Sequence, residues 1–403
     1  MAIMKNTGML WIGQIPVDWE LGKVKYAFNR KKEKSTEKDL TVLSLARTGV
    51  KVRDISTNEG QLAASYEGYN SVEPNDLLLN PMDLVSGANC SISKVSGVIS
   101  PAYVNLRAKI GFEPRYYDYY FKTQYWNMGF FAHGKGVSFE NRWTLNDATL
   151  KDYYIPMPPL SEQQAIADYL DKTCSQIDEI IAEAKASIDE YKELKIGQIN
   201  KYTVYKMKRT KLKYITEKIG DGIHTTPEYS DEGTIRFING GSFGEDSIKM
   251  IGPMLSNEEY QKQNKSLLNE HTVMIALNGA NFGNTSLYNN ETILLGKSAG
   301  YITLKPTVCR EYVRYCLENS VTKEAFDLSL NGTTIPNLSL NTLRNTEICL
   351  PDYSIQKQLA KTIKKMIVKI DSLIAEKESL INDLEAYKKS LIYEVVTGKR
   401  RAV

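Results

Sequence analysis

The chain has 403 residues, too many for one ordinary core and enough for two or three domains. Hydrophobic residues make up 42% and charged residues 25%, which excludes a disordered chain, and no apolar run reaches membrane-spanning length. Net charge is only +3, with 19 basic and 16 acidic groups in residues 1–158, 6 and 9 in 159–206, 15 and 16 in 207–350, and 11 and 7 in 351–403, a balance that neither demands nor excludes a polyanionic ligand and leaves any such affinity to local patches or partners.

In chain order, residues 1–158 read as a first head rich in strands and loops. Residues 1–19 lack the basic start and apolar stretch of a signal peptide, so a cytoplasmic protein is expected. Strand-like runs fall at 41–45, 76–79 and 103–106, and a short helix is expected over 116–129. Two near misses to catalytic motifs lie here. Asn80-Pro81-Met82-Asp83 lacks the second proline and the aromatic of an adenine methyltransferase tetrapeptide, and reads as a turn ending a strand. Gly129 to Lys135 follows a phosphate-binding loop until Gly136, which has no hydroxyl for Mg²⁺, and reads as a basic surface loop.

Residues 159–206 predict a long helix. Prolines precede it, Ser161 is placed to cap it and Gln164 to complete a capping box. Leu170, Cys174, Ile177, Ile181, Ala184, Ile188 and Tyr191 follow the alternating spacing of four and three that marks a coiled-coil seam. A second head follows over 207–350, with strands at 235–238, 272–276 and 301–304 and a short helix over 310–320. Residues 351–403 predict a second long helix with the same seam, Ile363, Ile367, Ile370, Ile374, Ile381 and Leu384, interrupted by Lys377.

The two helices are copies. Shifting residues 155–206 by 193 positions lays them without a gap on 348–399, and 15 of 52 positions are identical. Among these are Pro158/Pro351, Ser161/Ser354, Gln163/Gln356, Ala167/Ala360, Asp178/Asp371, Lys195/Lys388 and Ile199/Ile392. A helix of ~45 residues is roughly 65 Å long, more than a small head can cover, so the two seams are expected to pair with each other. Under the pseudo-two-fold symmetry usual for duplicated units they run antiparallel with the heads at opposite ends. The fold class is therefore α+β: two mixed heads joined to an antiparallel coiled coil. Cys90, Cys174, Cys309, Cys316 and Cys349 contain no C-x-x-C pair, so they read as free, mostly buried thiols, and no metal site is expected.

With these features in place, the chain resembles the specificity subunit of type I restriction-modification systems. In the first half the resemblance rests on Val42-Leu43-Ser44-Leu45 with Thr48-Gly49-Val50, on Val72-Glu73-Pro74-Asn75-Asp76-Leu77, on Ile99-Ser100-Pro101-Ala102-Tyr103-Val104, and on Ile155-Pro156-Met157-Pro158-Pro159-Leu160-Ser161-Glu162-Gln163. In the second it rests on Asp221-Gly222-Ile223-His224-Thr225-Thr226-Pro227, Arg236-Phe237-Ile238-Asn239-Gly240-Gly241 and Asn331-Gly332-Thr333-Thr334-Ile335-Pro336-Asn337-Leu338. Cys349-Leu350-Pro351-Asp352-Tyr353 departs from the family's more proline-rich approach, and Ile355-Gln356 keeps only the Gln of its Glu-Gln. The resemblance implies a non-catalytic subunit whose heads each recognise half of a split DNA target. Its helices set the spacer between the half-sites and dock two modification (methyltransferase) subunits. S-adenosylmethionine, ATP and Mg²⁺ are then expected on partner subunits, including the restriction and translocase subunits.

Reading bases needs donors and acceptors aimed into a groove, with cations on phosphate. The candidates in the first head are Arg47, Thr48, Lys51, Arg53, Asn80, Asn89, His133, Lys135 and Ser138. In the second they are His224, Thr225, Thr226, Asn239, Ser242, Asn278, Asn281, Asn284, Thr333 and Thr334. For each, a surface turn is the alternative. The basic runs 206–213 and 399–401 fit either phosphate contacts or solvated helix ends.

Overall fold

A computed structural model describes residues 3–35, 41–55, 65–136, 143–204, 208–244, 247–330 and 337–402. The chain forms two compact units, Met1–Ala184 with Ser379–Val403, and Lys185–Glu378. Each long helix, Leu160–Thr203 and Tyr353–Val396, gives one part to each unit. No helix among the described residues is long and apolar enough to cross a membrane.

The first unit is built on an antiparallel sheet in the order Phe28–Lys31, Val104–Ala108, Leu77–Leu79, Cys90–Ile92. Helix Pro114–Trp126 starts where Glu113 accepts a bond from the Arg115 N–H at 3.2 Å and Pro114 needs no donor. It buries Tyr116, Tyr117, Tyr120, Phe121 and Tyr125. Edge-on contacts such as Phe28 with Tyr117, 5.2 Å between centroids, fill this core. The second unit repeats the sheet, in the order Thr216–Asp221, Ala299–Leu304, Thr272–Ala276, Thr285–Leu287. Helix Arg310–Glu318 covers it, packing Tyr312, Val313, Cys316 and Leu317 into a core shared with Val273, Ile275 and Ile302.

The helices pair antiparallel within each unit. In the first, Lys388 meets Asp178 at 2.6 Å, and the Tyr116 hydroxyl donates to the Val396 carbonyl, at the far end of that helix, at 2.9 Å. Near the start of the first helix, Glu162 accepts from the Trp19 indole, whose ring lies beside Gly398. In the second unit Lys195 meets Asp371 at 2.9 Å, and Ile199 packs in one cluster with Ala360, Ile363 and Ile367. Both charge pairs join residues that the 193-residue shift makes equivalent. Along the seams Leu170, Cys174, Ile177, Ile181, Ile188, Ile363, Ile367, Ile370 and Ile381 are buried, while Tyr191, Ile374, Leu384 and the interrupting Lys377 are half-buried.

The helix starts correct one expectation. Ser161 and Ser354 do not cap them: the helices begin at Leu160 and Tyr353, and the Pro159 carbonyl accepts from the N–H groups of Glu162 and Gln163. The buried glutamine two residues on has a different task, joining this helix start to a neighbouring helix. Gln163 donates to the Pro158 carbonyl at 2.7 Å and accepts from the Glu113 N–H at 2.8 Å, tying the long helix to the cap of helix 114–126. Gln356 repeats the lock, donating to the Pro351 carbonyl at 2.7 Å and accepting from the Cys309 N–H at 2.9 Å.

Replacing Gln163 by Leu orphans a buried donor and a buried acceptor together. We expect a loss of roughly 2–4 kcal/mol in denaturant titration. Lys388→Met, which removes a partly solvated ion pair, should cost under about 1 kcal/mol. A Gln163→Leu loss no larger than that of Lys388→Met would show that the lock is incidental.

Candidate nucleic-acid interface

In the second unit four connectors meet at one end of the strands. Asp221 pairs with Gly300, Ala276 with Ala299, and Ile238 runs parallel beside Leu295. The segments leaving those residues, 221–226, 239–242, 277–284 and 296–298, therefore share one rim. Close approach of backbone holds them there. A Cβ on Gly222 would lie 2.1 Å from the Leu295 carbonyl oxygen, one on Gly240 2.7 Å from that of Ser298, and one on Gly296 2.2 Å from Asn239 Oδ1. The Ser298 hydroxyl donates to Asn239 Oδ1 at 3.1 Å and accepts from the Gly240 N–H at 3.0 Å. Asn284 donates to Asn281 Oδ1 at 3.4 Å, and Gly279 and Gly283, both at positive φ, turn that loop.

This rim gathers most of the second-head candidates. His224, Thr225, Thr226, Asn239 and Asn284 are exposed, and Asn278 and Asn281 are half-exposed. His224 Nε2 lies 2.8 Å from Asp221 Oδ2. Ser242 is buried and donates to the Ile251 carbonyl at 3.1 Å, a bond that closes its own loop. Thr333 and Thr334 lie outside the described residues; Asn337, just beyond them, bridges to Asn278.

The sequence reading passed over Lys297. It is exposed on the same rim, between Ile293–Leu295 and Ala299–Leu304, and makes no ion pair among the described residues. Its signal was a Gly-containing turn between two apolar runs, legible only once 293–295 is assigned as a strand.

In the first unit the rim is built from a hairpin tip and two loops. Arg47 and Thr48, both exposed, turn between paired Ala46 and Gly49, the latter at φ +111°. A Cβ on Gly87 would lie 3.5 Å from Arg47 Cδ, so the tip rests on loop 80–89. That loop occupies the same place in the first sheet as 277–284 in the second. Leu145 donates to the Pro81 carbonyl at 2.9 Å, and Lys135 pairs with Thr144, which brings segment 133–136 alongside. Lys51 is exposed and Arg53 half-buried on the following strand edge.

Three first-head candidates have structural partners. Asn80 Oδ1 accepts from the Met82 N–H at 3.0 Å, closing the turn that ends strand Leu77–Leu79. Asn89 is buried and donates to Asp83 Oδ2 at 3.0 Å. Burial pushes the Asp83 carboxyl up, but bonds from Ser86 and Asn89 outweigh it and hold the group below its usual range. His133 Nδ1 lies 2.8 Å from the Gly129 carbonyl, and the ring packs edge-on against Trp11 at 4.2 Å. There it lines a groove of about 430 Å³ with Trp11, Lys135, Asp152 and Tyr153. Ser138 lies outside the described residues.

Among the described residues no group of His, Cys, Asp and Glu is arranged to hold a metal ion. All five cysteines are free and buried, and burial raises the thiols of Cys90, Cys174, Cys309 and Cys316 above their ordinary range. What the two rims offer is amides, hydroxyls and cations at the surface, the chemistry that meets base edges and phosphates.

Comparison with known proteins gives concordant results. The family model described as type I restriction modification DNA specificity domain matches residues 89–190 and 205–383. The type I restriction enzyme MjaVIII specificity subunit of Methanocaldococcus jannaschii is 23% identical, over 96% of this chain and 94% of its own. A chain from a structural study of assembly and conformational transition in the type I R-M system superposes with a TM-score of 0.77 at 13% identity, over 96% of this chain and 99% of that one. The HsdS subunit from Thermoanaerobacter tengcongensis gives a TM-score of 0.55 at 13% identity, over 96% of this chain and 98% of its own.

The glycine contacts give a direct check on how the second rim is held. Gly222→Ala meets backbone that cannot yield and should lower stability by about 2–3 kcal/mol in thermal or chemical unfolding. Gly241→Ala, whose Cβ would stand 3.6 Å from Asn281 Nδ2, should stay within about 0.5 kcal/mol of the parent. Equal tolerance at both positions would contradict the close-packed rim.

Proposed function

This chain belongs to the type I restriction modification DNA specificity family, and from that membership we propose that its two units each read one half of a bipartite duplex target. It is a specificity subunit, and such subunits are non-catalytic. The observation that carries the half-site reading is repetition of frame without repetition of rim. The two sheets have the same strand order, yet one rim presents Arg47, Thr48 and Lys135, and the other His224, Asn239, Asn281 and Lys297. In this reading the amides and hydroxyls address base edges and the cations address phosphate. The duplicated helices dock two modification subunits and set the spacer. S-adenosylmethionine, ATP and Mg²⁺ are then bound by modification and restriction subunits, and the complex works in the cytoplasm.

Two experiments test this, both read by mapping methylated adenines in a host that carries the complete system. Asn239→Ala should relax one position of one half-site, at a cost of about 1–3 kcal/mol in binding, and leave the other half-site unchanged. Altered preference in both half-sites would rule out independent reading. Inserting one heptad at matched points of both helices adds about 10 Å of helix and should lengthen the spacer by about three base pairs. If the original spacer is still methylated, the helices do not set it.

A further inference from the structure

We propose that the outer face of the second long helix, within the second unit, lies along the phosphates of duplex DNA and supplies sequence-independent affinity through Lys357, Lys361, Lys364, Lys365 and Lys369. This inference rests on the reading of the chain as a DNA binder, but not on how its rims divide the target.

Residues 357–369 contain five lysines and no acid. Their spacing of three and four puts them on one helix face. The opposite face holds buried Ile363, Ile367 and Ile370. All five lysines are exposed and none makes an ion pair among the described residues; the Lys357 ammonium sits 5.2 Å over the Tyr353 ring. Like charges at three- and four-residue spacing disfavour a helix. Such a run therefore lowers stability until a polyanion neutralises it.

The internal repeat serves as a control. Its counterparts in the first copy are Gln164, Asp168, Asp171, Lys172 and Gln176. There the acids are engaged by the unit's own core: Arg115 Nη1 reaches Asp168 at 2.8 Å and Asp171 at 2.9 Å, and the Tyr119 hydroxyl donates to Asp171 at 2.8 Å. In the second copy Cys309 takes the place of the cap residue Glu113, which puts Glu311 where Arg115 stands. The Glu311 carboxylate is taken by Arg310 at 3.1 Å and the Cys309 thiol at 3.3 Å. The network is closed in one unit, and in the other the cations are left over.

The asymmetry also selects the anion. A protein surface that docked alike on both copies of the helix would have to match acids held by Arg115 on the first and bare lysines on the second. Duplex phosphate carries no such requirement.

The test uses the full chain, alone at low salt and co-purified with its modification subunits. A random-sequence 40-base-pair duplex is titrated by fluorescence anisotropy between about 50 and 200 mM salt. The quadruple variant K361Q/K364Q/K365Q/K369Q should lower the slope of log affinity against log salt by about two to four, at roughly 0.9 for each phosphate that is no longer neutralised, and weaken binding at least tenfold at the lower salt. The methylated target should not change, and the corresponding Lys→Arg variant, with matching far-ultraviolet circular dichroism, should bind like the parent. An unaltered slope in the glutamine variant overturns the proposal. So does loss of modification-subunit co-purification with the slope intact, which would assign the face to a protein. Parent binding with an unaltered variant slope ends this inference alone, whereas a parent that binds no duplex in either form ends the DNA reading with it.

Discussion

A helix of 44 residues with one apolar stripe has to be covered along its whole length, and a small head can cover only part of it. That requirement organises the molecule. Each unit meets it by taking a part of both helices, so the chain leaves a unit along one helix and returns along the other. Antiparallel pairing follows from the burial of Ile199 against Ile363 and Ile367, and the interhelical charge pairs add direction to it. Those pairs are partly solvated and contribute little energy. Their value is positional: a shift of one helix turn would separate Lys195 from Asp371 and Lys388 from Asp178 together.

The helices position the heads through the buried glutamines. Gln163 and Gln356 each bridge the start of a long helix and the cap of the helix that covers the sheet. A side chain offering both a donor and an acceptor is needed, and glutamine reaches where a serine hydroxyl cannot. Because the sheet helix is tied to the long helix in this way, the strand ends and their connectors inherit a defined position. Pairings such as Gly222 against Leu295 then permit only backbone at the contact, leaving the outward positions of the same loops free to vary.

The repeat, the two helices and the strands 235–238 and 272–276 were legible because they depend on periodicity and self-similarity, which are local or internal properties of the chain. What was not legible depends on tertiary partners. Ser161 looked like a cap because nothing in the sequence shows that the helix already starts at Leu160, with the Pro159 carbonyl taking its first N–H groups. Asn89, Ser242 and His133 have the composition of groove-facing residues, yet Asp83, the Ile251 carbonyl and Trp11 occupy them. Lys297 went unnoticed for the opposite reason, since its turn is short and becomes a rim only when a parallel strand lies beside it.

Duplication followed by divergence has sorted the residues by physical role. Several of the positions identical in the two helix copies are those with a specific partner: the locking glutamines and the residues of the charge pairs, alongside Ile199 and its counterpart Ile392 in the buried seam. The solvent-facing positions have drifted so far that acids in one copy stand opposite lysines in the other. Structural pairing inside a unit constrains both members of a contact, so such contacts change only together. Where the first unit has Arg115 with Asp168 and Asp171, the second has Glu311, Lys361 and Lys364 at the matching positions, opposite in sign but not ion-paired with one another. That copy leaves its lysines without an ion pair among the described residues, and Arg310 and Cys309 occupy the Glu311 carboxylate. No intramolecular pair among the described residues accounts for those lysines, which is the observation behind the proposed phosphate contact.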